Sequence, residues 1–209
     1  MMSNFRQSQL RGRDRLRGLK QAHEEVEGEM IAQRPRFERL ADPGTAPQVF
    51  SSFNLFPTPP DVADQVIELA RITEGMSVLE PSAGMGALAI PARESGGVVQ
   101  CVEIDCQMAA YLTGLGFETA NANFFRWLGG SFDRVVMNPP FKNGVDRNHI
   151  RRAMDFLKIG GRLVSVCANG PKQREALIPL ATRWVELPPG SFKSEGTNVN
   201  TAIFVYDRS

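Results

Sequence analysis

Ser77-Val78-Leu79-Glu80-Pro81-Ser82-Ala83-Gly84-Met85-Gly86 is a short apolar run that ends in an acid, breaks at a proline and turns on two glycines. The run predicts a strand over 77–80, and the periodicity that follows predicts a helix from Ala87 to about Glu94. Glycines at 84 and 86 let the backbone pass close to a ligand before the helix begins. Strand, glycine turn and helix together predict the opening of a nucleotide-binding α/β unit. The third glycine of the dinucleotide pattern is missing. The carboxylate of Glu80 at the strand tip suits a ligand that carries a cation, such as a free amino group.

The same alternation extends outward from this stretch. Upstream, Phe56-Pro57-Thr58-Pro59-Pro60 precedes an amphipathic helix expected over Asp61–Ile72, with Val62, Val66, Ile67, Leu69 and Ala70 on its apolar face. Downstream, Val98–Asp105 predicts a second strand, Cys106–Thr113 a helix and Phe117–Asn121 a third strand. Phe132–Met137 is the fourth strand, followed by a helix over Asn148–Leu157 that Gly160-Gly161 stops. Arg162–Cys167 is the fifth strand, Lys172–Ala181 a helix, Trp184–Leu187 the sixth strand and Thr201–Tyr206 the seventh. The last connection is too short for a crossover helix, so strands six and seven should form an antiparallel hairpin at one edge of an otherwise parallel sheet.

A length of 209 residues with 42% hydrophobic content suits one domain with a substantial core and a short appendage. Ala41-Asp42-Pro43-Gly44-Thr45-Ala46-Pro47 reads as a linker, which divides the chain into an extension over 1–47 and a domain over 48–209. The net charge of +1 hides an asymmetry. Arg6, Arg11, Arg13, Arg15, Arg17 and Lys20 face only Asp14 in the first 20 residues, a local net of +5, so the remainder sums to −4. This arm is either a solvated extension or a segment that contacts phosphates. Three cysteines without CxxC spacing and only two histidines argue against a disulfide framework or a metal site. No apolar run reaches membrane-spanning length, and the polar, basic start is no secretory signal. A reduced, cytoplasmic protein is expected, with no membrane partner.

Met137-Asn138-Pro139-Pro140-Phe141 closes the fourth strand in an unusual way. Two prolines remove backbone donors, so the sheet cannot continue. What remains is an amide side chain, rigidly aimed carbonyls and an aromatic ring. An exocyclic amine on an aromatic ring is a poor nucleophile, because its lone pair is delocalised into the ring. Acceptance of its two N–H groups by the Asn138 side chain and the Pro139 carbonyl favours a pyramidal nitrogen able to attack. Phe141 offers a face on which the acceptor ring stacks. Glu103, 23 residues beyond Glu80, can accept both hydroxyls of a ribose, although Asp105 competes for that role.

With these motifs, the chain resembles the class I S-adenosylmethionine-dependent methyltransferases over roughly residues 53 to 207. More narrowly it resembles the N6-adenine DNA methyltransferases that carry Asn-Pro-Pro-Phe/Tyr. The resemblance implies a Rossmann-like α/β fold, a seven-stranded mixed sheet of order 3-2-1-4-5-7-6 flanked by helices. It implies that Thr58 and Pro59, with Phe56 and Pro57, close over the methionine end of S-adenosylmethionine. Glu80, Pro81, Ala83, Gly84 and Gly86 would form the methionine-binding loop, and Glu103 would hold the ribose. Asn123-Phe124 stands where the family usually has Asp-Phe, the pair that contacts the cofactor's adenine. Asn138, Pro139, Pro140 and Phe141 would hold a target adenine flipped out of duplex DNA.

The motif order is that of the family's gamma group, whose members usually append a target-recognition domain. None is expected here, so sequence choice would come from loops, from the basic arm or from a protein partner. Lys142, Arg147, Arg151 and Arg152 after the motif, with Lys193, Asn198 and Asn200 before strand seven, are candidate DNA-facing residues. Phe192 is expected to pack on the extruded base. The same signature also serves RNA guanine and protein glutamine methyltransferases, and a nucleic-acid-binding accessory protein could retain the fold without activity.

Overall fold

The computed structural model describes residues 57–209. The extension and linker expected over 1–47, and Phe56, lie outside the described residues. Among the described residues the secondary structure alternates as the sequence pattern requires: α1 (Pro60–Ala70), β1 (Ser77–Pro81), α2 (Ala89–Glu94), β2 (Val98–Glu103), α3 (Cys106–Gly114), β3 (Glu118–Asn121), β4 (Phe132–Met137), α4 (Val145–Met154), β5 (Leu157–Ala168), α5 (Pro171–Leu177), β6 (Arg183–Glu186) and β7 (Thr201–Asp207). The seven strands form one sheet in the order β3-β2-β1-β4-β5-β7-β6, as expected. β7 runs antiparallel to both β5 and β6, so it is the reversed strand, inserted one place in from the edge.

Side chains alternate across this sheet with the two-residue period of a strand. Val78, Val136, Val164, Ile203 and Val205 pack on one face with Val66 of α1, Ala92 of α2 and Leu112 of α3. Leu79, Val135, Met137, Leu163 and Phe204 pack on the other face with Ile150 of α4 and Leu177 of α5. A sheet covered on both sides explains why the central strands read as continuous apolar runs.

α1 begins on Pro59-Pro60, and the Pro59 carbonyl accepts from the backbone N–H groups of Val62 and Ala63 at 3.0 and 2.9 Å. It stops at Ala70, two residues short of the expected end, because Arg71 adopts a left-handed conformation with φ 50°. Its last carbonyls are not left unpaired. Arg134 donates to Ala70 O at 2.7 Å, and Arg162 donates to Leu69 O at 3.0 Å while holding Asp207 with two further hydrogen bonds. Two cations from paired positions of β4 and β5 thus meet the negative end of the helix.

Three expected boundaries moved. α4 starts earlier than Asn148, because Asn143 and Gly144 both take positive φ and turn the chain into the helix by Val145. It ends at Met154 because Phe156 and Leu157 join the sheet; the N–H of Phe132 donates to Phe156 O at 2.7 Å. Gly160-Gly161 therefore bends β5 internally and does not stop a helix. A Cβ at 161 would lie 2.8 Å from the Lys158 carbonyl oxygen. α5 ends at Leu177 and continues only as a 3-10 turn over Ile178–Leu180, since Pro179 has no N–H for the next helical bond. β2 ends at Glu103, not Asp105.

Candidate functional site

Three expected residues stand at the carboxyl ends of neighbouring parallel strands: Glu103 closes β2, Glu80 lies near the end of β1, and Asn138 follows β4 directly. In open α/β sheets this edge is where ligands bind. A cleft opens there, lined by Pro57, Thr58, Glu80, Ser82, Ala83, Gly84, Met85, Ala87 and Asn138.

Glu80 is 3% exposed, and the backbone N–H groups of Ala89 and Leu88, where α2 begins, donate to its carboxyl. Its Oε2 is buried and has no hydrogen-bond partner among the described residues. Burial pushes this carboxyl well above its ordinary value. The hydrogen bond from Ala89 opposes the rise, the charge of nearby Glu103 adds to it, and the bond from Leu88 opposes it again. The group therefore lacks one partner, and a cation would supply it.

The turn after β1 is held from β2. The N–H groups of Ser82 and Ala83 donate to Val102 O at 2.8 and 3.2 Å, and the N–H of Gly84 donates to Glu103 Oε2 at 2.7 Å. Ser82, Gly84 and Gly86 all have positive φ, of 75°, 55° and 80°. A Cβ at 86 would meet Leu112 Cδ2 at 3.0 Å. Glycine thus serves both the turn and the close approach of α3. Pro81 and Ala83 are buried beneath the turn.

Glu103 and Asp105 have separate tasks. The Oε1 of Glu103 accepts from the N–H of Asp105 at 2.9 Å. Asp105 caps α3, its Oδ1 accepting from Gln107 N at 2.9 Å and Met108 N at 3.1 Å. Only Glu103 turns its carboxylate towards the glycine turn.

Across the cleft, Asn138 Nδ2 donates to Thr58 Oγ1 at 3.1 Å, joining residues 80 positions apart. Thr58 and Pro59 are buried, as is Pro139, while Pro140 and Phe141 are half-buried. Phe141 meets Phe192 edge to face, with ring centroids 6.0 Å apart. Phe192 is fully buried, so it braces Phe141 from behind and has no face left for a base; the expectation of direct stacking is corrected.

Other expected residues take structural roles. Asn123 Oδ1 accepts from the N–H of Phe125 at 2.9 Å, a local turn in which its carbonyl is already engaged. Phe124 is buried against the rings of His149 and Phe156, with centroids 5.8 and 5.5 Å away, and neither it nor Asn123 lines the cleft described above. Arg152 donates to Trp127 O at 2.9 Å and lies over the Phe156 ring, so it supports a loop and is withdrawn as a DNA-facing residue. Lys142, Arg151, Lys193, Asn198 and Asn200 are exposed and Arg147 is half-buried. The Phe141–Phe192 contact joins the segments that carry Lys142 and Lys193.

Two residues with a place in this region gave no warning in the sequence. Ser82 lines the cleft from a left-handed backbone position where glycine or asparagine is the usual signal. Asp146, fully buried, accepts from the N–H of Ala168 at 3.1 Å and from Gln173 Nε2 at 3.3 Å, tying the start of α4 to the end of β5. In sequence it looks like one more acid at a solvated helix start.

Among the described residues no group of three or more His, Cys, Asp or Glu could hold a metal ion, and no helix is long and apolar enough to cross a membrane. The chain is 31% identical over 100 residues to the modification methylase CviBIII of Paramecium bursaria Chlorella virus NC1A, a match covering 44% of this chain and 26% of that protein. In fold it is similar to TrmN from Thermus thermophilus, with a TM-score of 0.57 and 22% identity over 72% of this chain and 49% of that one. It is also similar to the 16S rRNA N2 G1207 methyltransferase RsmC of the same organism, solved with AdoMet and guanosine. There the TM-score is 0.56 and the identity 20%, over 78% and 46% of the two chains. The chain thus spans about a quarter of the viral methylase and about half of TrmN. Residues 61–182, more than half of the sequence, match the family described as "Methyltransferase small domain", and the chain belongs to that family of class I S-adenosylmethionine-dependent methyltransferases.

Proposed function

We propose that this protein methylates the exocyclic N6 of adenine in DNA, with residues 48–209 as the catalytic domain and 1–47 as an appendage. The observation that carries this reading is the position of Asn138, at the end of β4 and hydrogen-bonded to Thr58 on the rim of the Glu80–Gly84 cleft. The 31% identity to a viral modification methylase supports DNA as the substrate class.

The residues present fit S-adenosylmethionine. The unpartnered Oε2 of Glu80 suits its ammonium group, Glu103 suits the ribose hydroxyls, and the turn over Ala83, Gly84 and Gly86 lets the methionine end lie close to the backbone. The chemistry supplied by bound S-adenosylmethionine is a sulfonium methyl, taken by the amine nitrogen as the C–S bond breaks, with the electron pair left on sulfur and one proton released to solvent.

The chain's own contribution is positioning. The Asn138 side-chain carbonyl and the Pro139 carbonyl accept from the two N–H groups of the amine, which keeps its lone pair out of the ring. Phe141, braced by Phe192, carries the face of the base. No ionised base is required in this scheme. Lys142, Arg147, Arg151, Lys193 and Asn198 are the residues we assign to the backbone of the flipped strand.

Incubation of the full chain with labelled S-adenosylmethionine and unmethylated duplex DNA, followed by nucleoside analysis, tests the proposal. N6-methyladenine is expected. Label appearing instead as N2-methylguanine in RNA or on protein glutamine would overturn the acceptor assignment while keeping the planar-amine chemistry.

A further inference from the structure

The hydrogen bond between Asn138 and Thr58 raises a question of direction. A planar amine can be held only if the Asn138 amide presents its oxygen, yet an amide can turn by half a rotation and present its NH2 group instead. Thr58 Oγ1 lies 3.1 Å from Asn138 Nδ2. A threonine hydroxyl both accepts and donates. By itself it tolerates either orientation, donating to the amide oxygen in one and accepting from the amide nitrogen in the other. The ambiguity ends once the hydroxyl proton is given to an anion. The oxygen can then only accept, and the NH2 group of Asn138 must face it, which leaves the amide oxygen pointing the other way.

Thr58 is placed to meet such an anion. It is 8% exposed and lines the same cleft as Glu80, whose unpartnered Oε2 suits an ammonium group. A ligand whose amino-acid end puts its ammonium on Glu80 carries a carboxylate two bonds away, on the same end of the cleft. We infer that Thr58 is a positioning residue that converts occupancy of the amino-acid subsite into the correct orientation of the Asn138 amide, so that the amine-holding site is completed only when the methyl donor is bound. This rests on the proposed reading of the cleft, and extends it from a list of contacts to an order of events: donor first, acceptor second.

The experiment uses the full chain labelled with [15N]asparagine, with the Asn138 side-chain signal assigned by its loss in Asn138→Asp. S-Adenosylhomocysteine, which has the amino-acid end, is expected to shift the Asn138 NH2 pair and slow its exchange with solvent. 5′-Methylthioadenosine, which lacks that end, is expected to leave the pair unchanged. The response to S-adenosylhomocysteine should persist in Thr58→Ser and vanish in Thr58→Val, which keeps the shape without the hydroxyl. A response retained in Thr58→Val, an equal response to methylthioadenosine, or no response in the wild type would overturn the inference.

A kinetic arm with labelled S-adenosylmethionine and unmethylated duplex DNA separates this from the acceptor assignment. Thr58→Val should lower kcat by about 10- to 100-fold, the cost of a misplaced reacting group. Its KM for S-adenosylmethionine should rise by less than about fivefold, the loss of one neutral hydrogen bond. Thr58→Ser should recover most of the rate. A rise in KM with kcat unchanged would overturn the positioning role. A wild type that gives the amide response but methylates no DNA would sink the DNA reading alone, because the spectroscopic arm still decides the role of Thr58.

Discussion

The backbone N–H of Gly84 donates to Glu103 Oε2 at 2.7 Å, so the turn after β1 is latched to the last residue of β2 before any ligand arrives. The second oxygen of Glu103 is engaged by the N–H of Asp105. One carboxylate therefore shapes the cleft and also faces the position assigned to a ribose.

Glu103→Gln replaces one of these acceptors by an NH2 group that confronts an N–H. The variant is expected to lose about 1–3 kcal/mol of stability, the range for a buried polar group left without a partner. S-Adenosylhomocysteine should also bind less tightly. Thermal melting and calorimetry on the same preparation measure both, and an unchanged melt with unchanged affinity would contradict the latch.

Glu80 predicts a pH dependence with a definite sign. Its carboxyl is raised above the ordinary value of 4.5 in the folded chain, by burial first. Folded and unfolded states hold the proton equally well at low pH, and above the unfolded value the folded state must keep a proton that the unfolded state has released. The stability contribution of this group is thus fully present below the unfolded value and is lost as pH rises through the raised one. Glu80→Gln removes the loss. The variant should match the wild type near pH 4 and gain on it at higher pH, by at most about 1.4 kcal/mol per pH unit. The same substitution should weaken S-adenosylhomocysteine, since an amide does not pair with an ammonium. Melting curves across pH check the first statement and calorimetry the second.

Ser82 holds φ 75° inside the cleft. Ser82→Gly relieves the backbone but loosens the unfolded chain, so stability should change by less than about 1 kcal/mol. Ser82→Val puts a β-branched residue into the same left-handed position and should cost about 1–3 kcal/mol. Paired chemical denaturation of the two variants would show whether the difference has this sign.

Asn138→Ala should reduce methyl transfer by at least about 100-fold, comparable with removal of one preorganised hydrogen-bonding group elsewhere in catalysis. S-Adenosylhomocysteine affinity should stay within about fivefold of wild type. Equal transfer rates would remove Asn138 from the site.

Phe192→Leu tests the brace behind Phe141. The side chain is fully buried, so the smaller residue should cost roughly 1–2 kcal/mol, less than the 3–5 kcal/mol of a full truncation to alanine. Loosening the edge-to-face contact should raise KM for DNA more than KM for S-adenosylmethionine. An equal rise in both would argue for a general loss of fold.

Much of this protein was determined by local sequence. Ser77–Glu80, Gly84 and Gly86 announce strand and turn because periodicity and positive φ are properties of a few consecutive residues. The short link before Thr201 announces the reversed strand for the same reason, since no helix fits in it. The tertiary structure decided what depends on partners distant in the chain. Between Glu103 and Asp105 the choice turned on which carboxylate the Gly84 N–H meets and which one the start of α3 needs as a cap. Phe192, Phe124 and Arg152 were legible as residue types but not as positions, because burial is set by the elements that pack around a side chain. The bond from Asn138 to Thr58 spans 80 residues and follows from no local rule. The sequence marks the groups able to hold a planar amine, and the packing of α1 against the end of β4 places the hydroxyl that aims them.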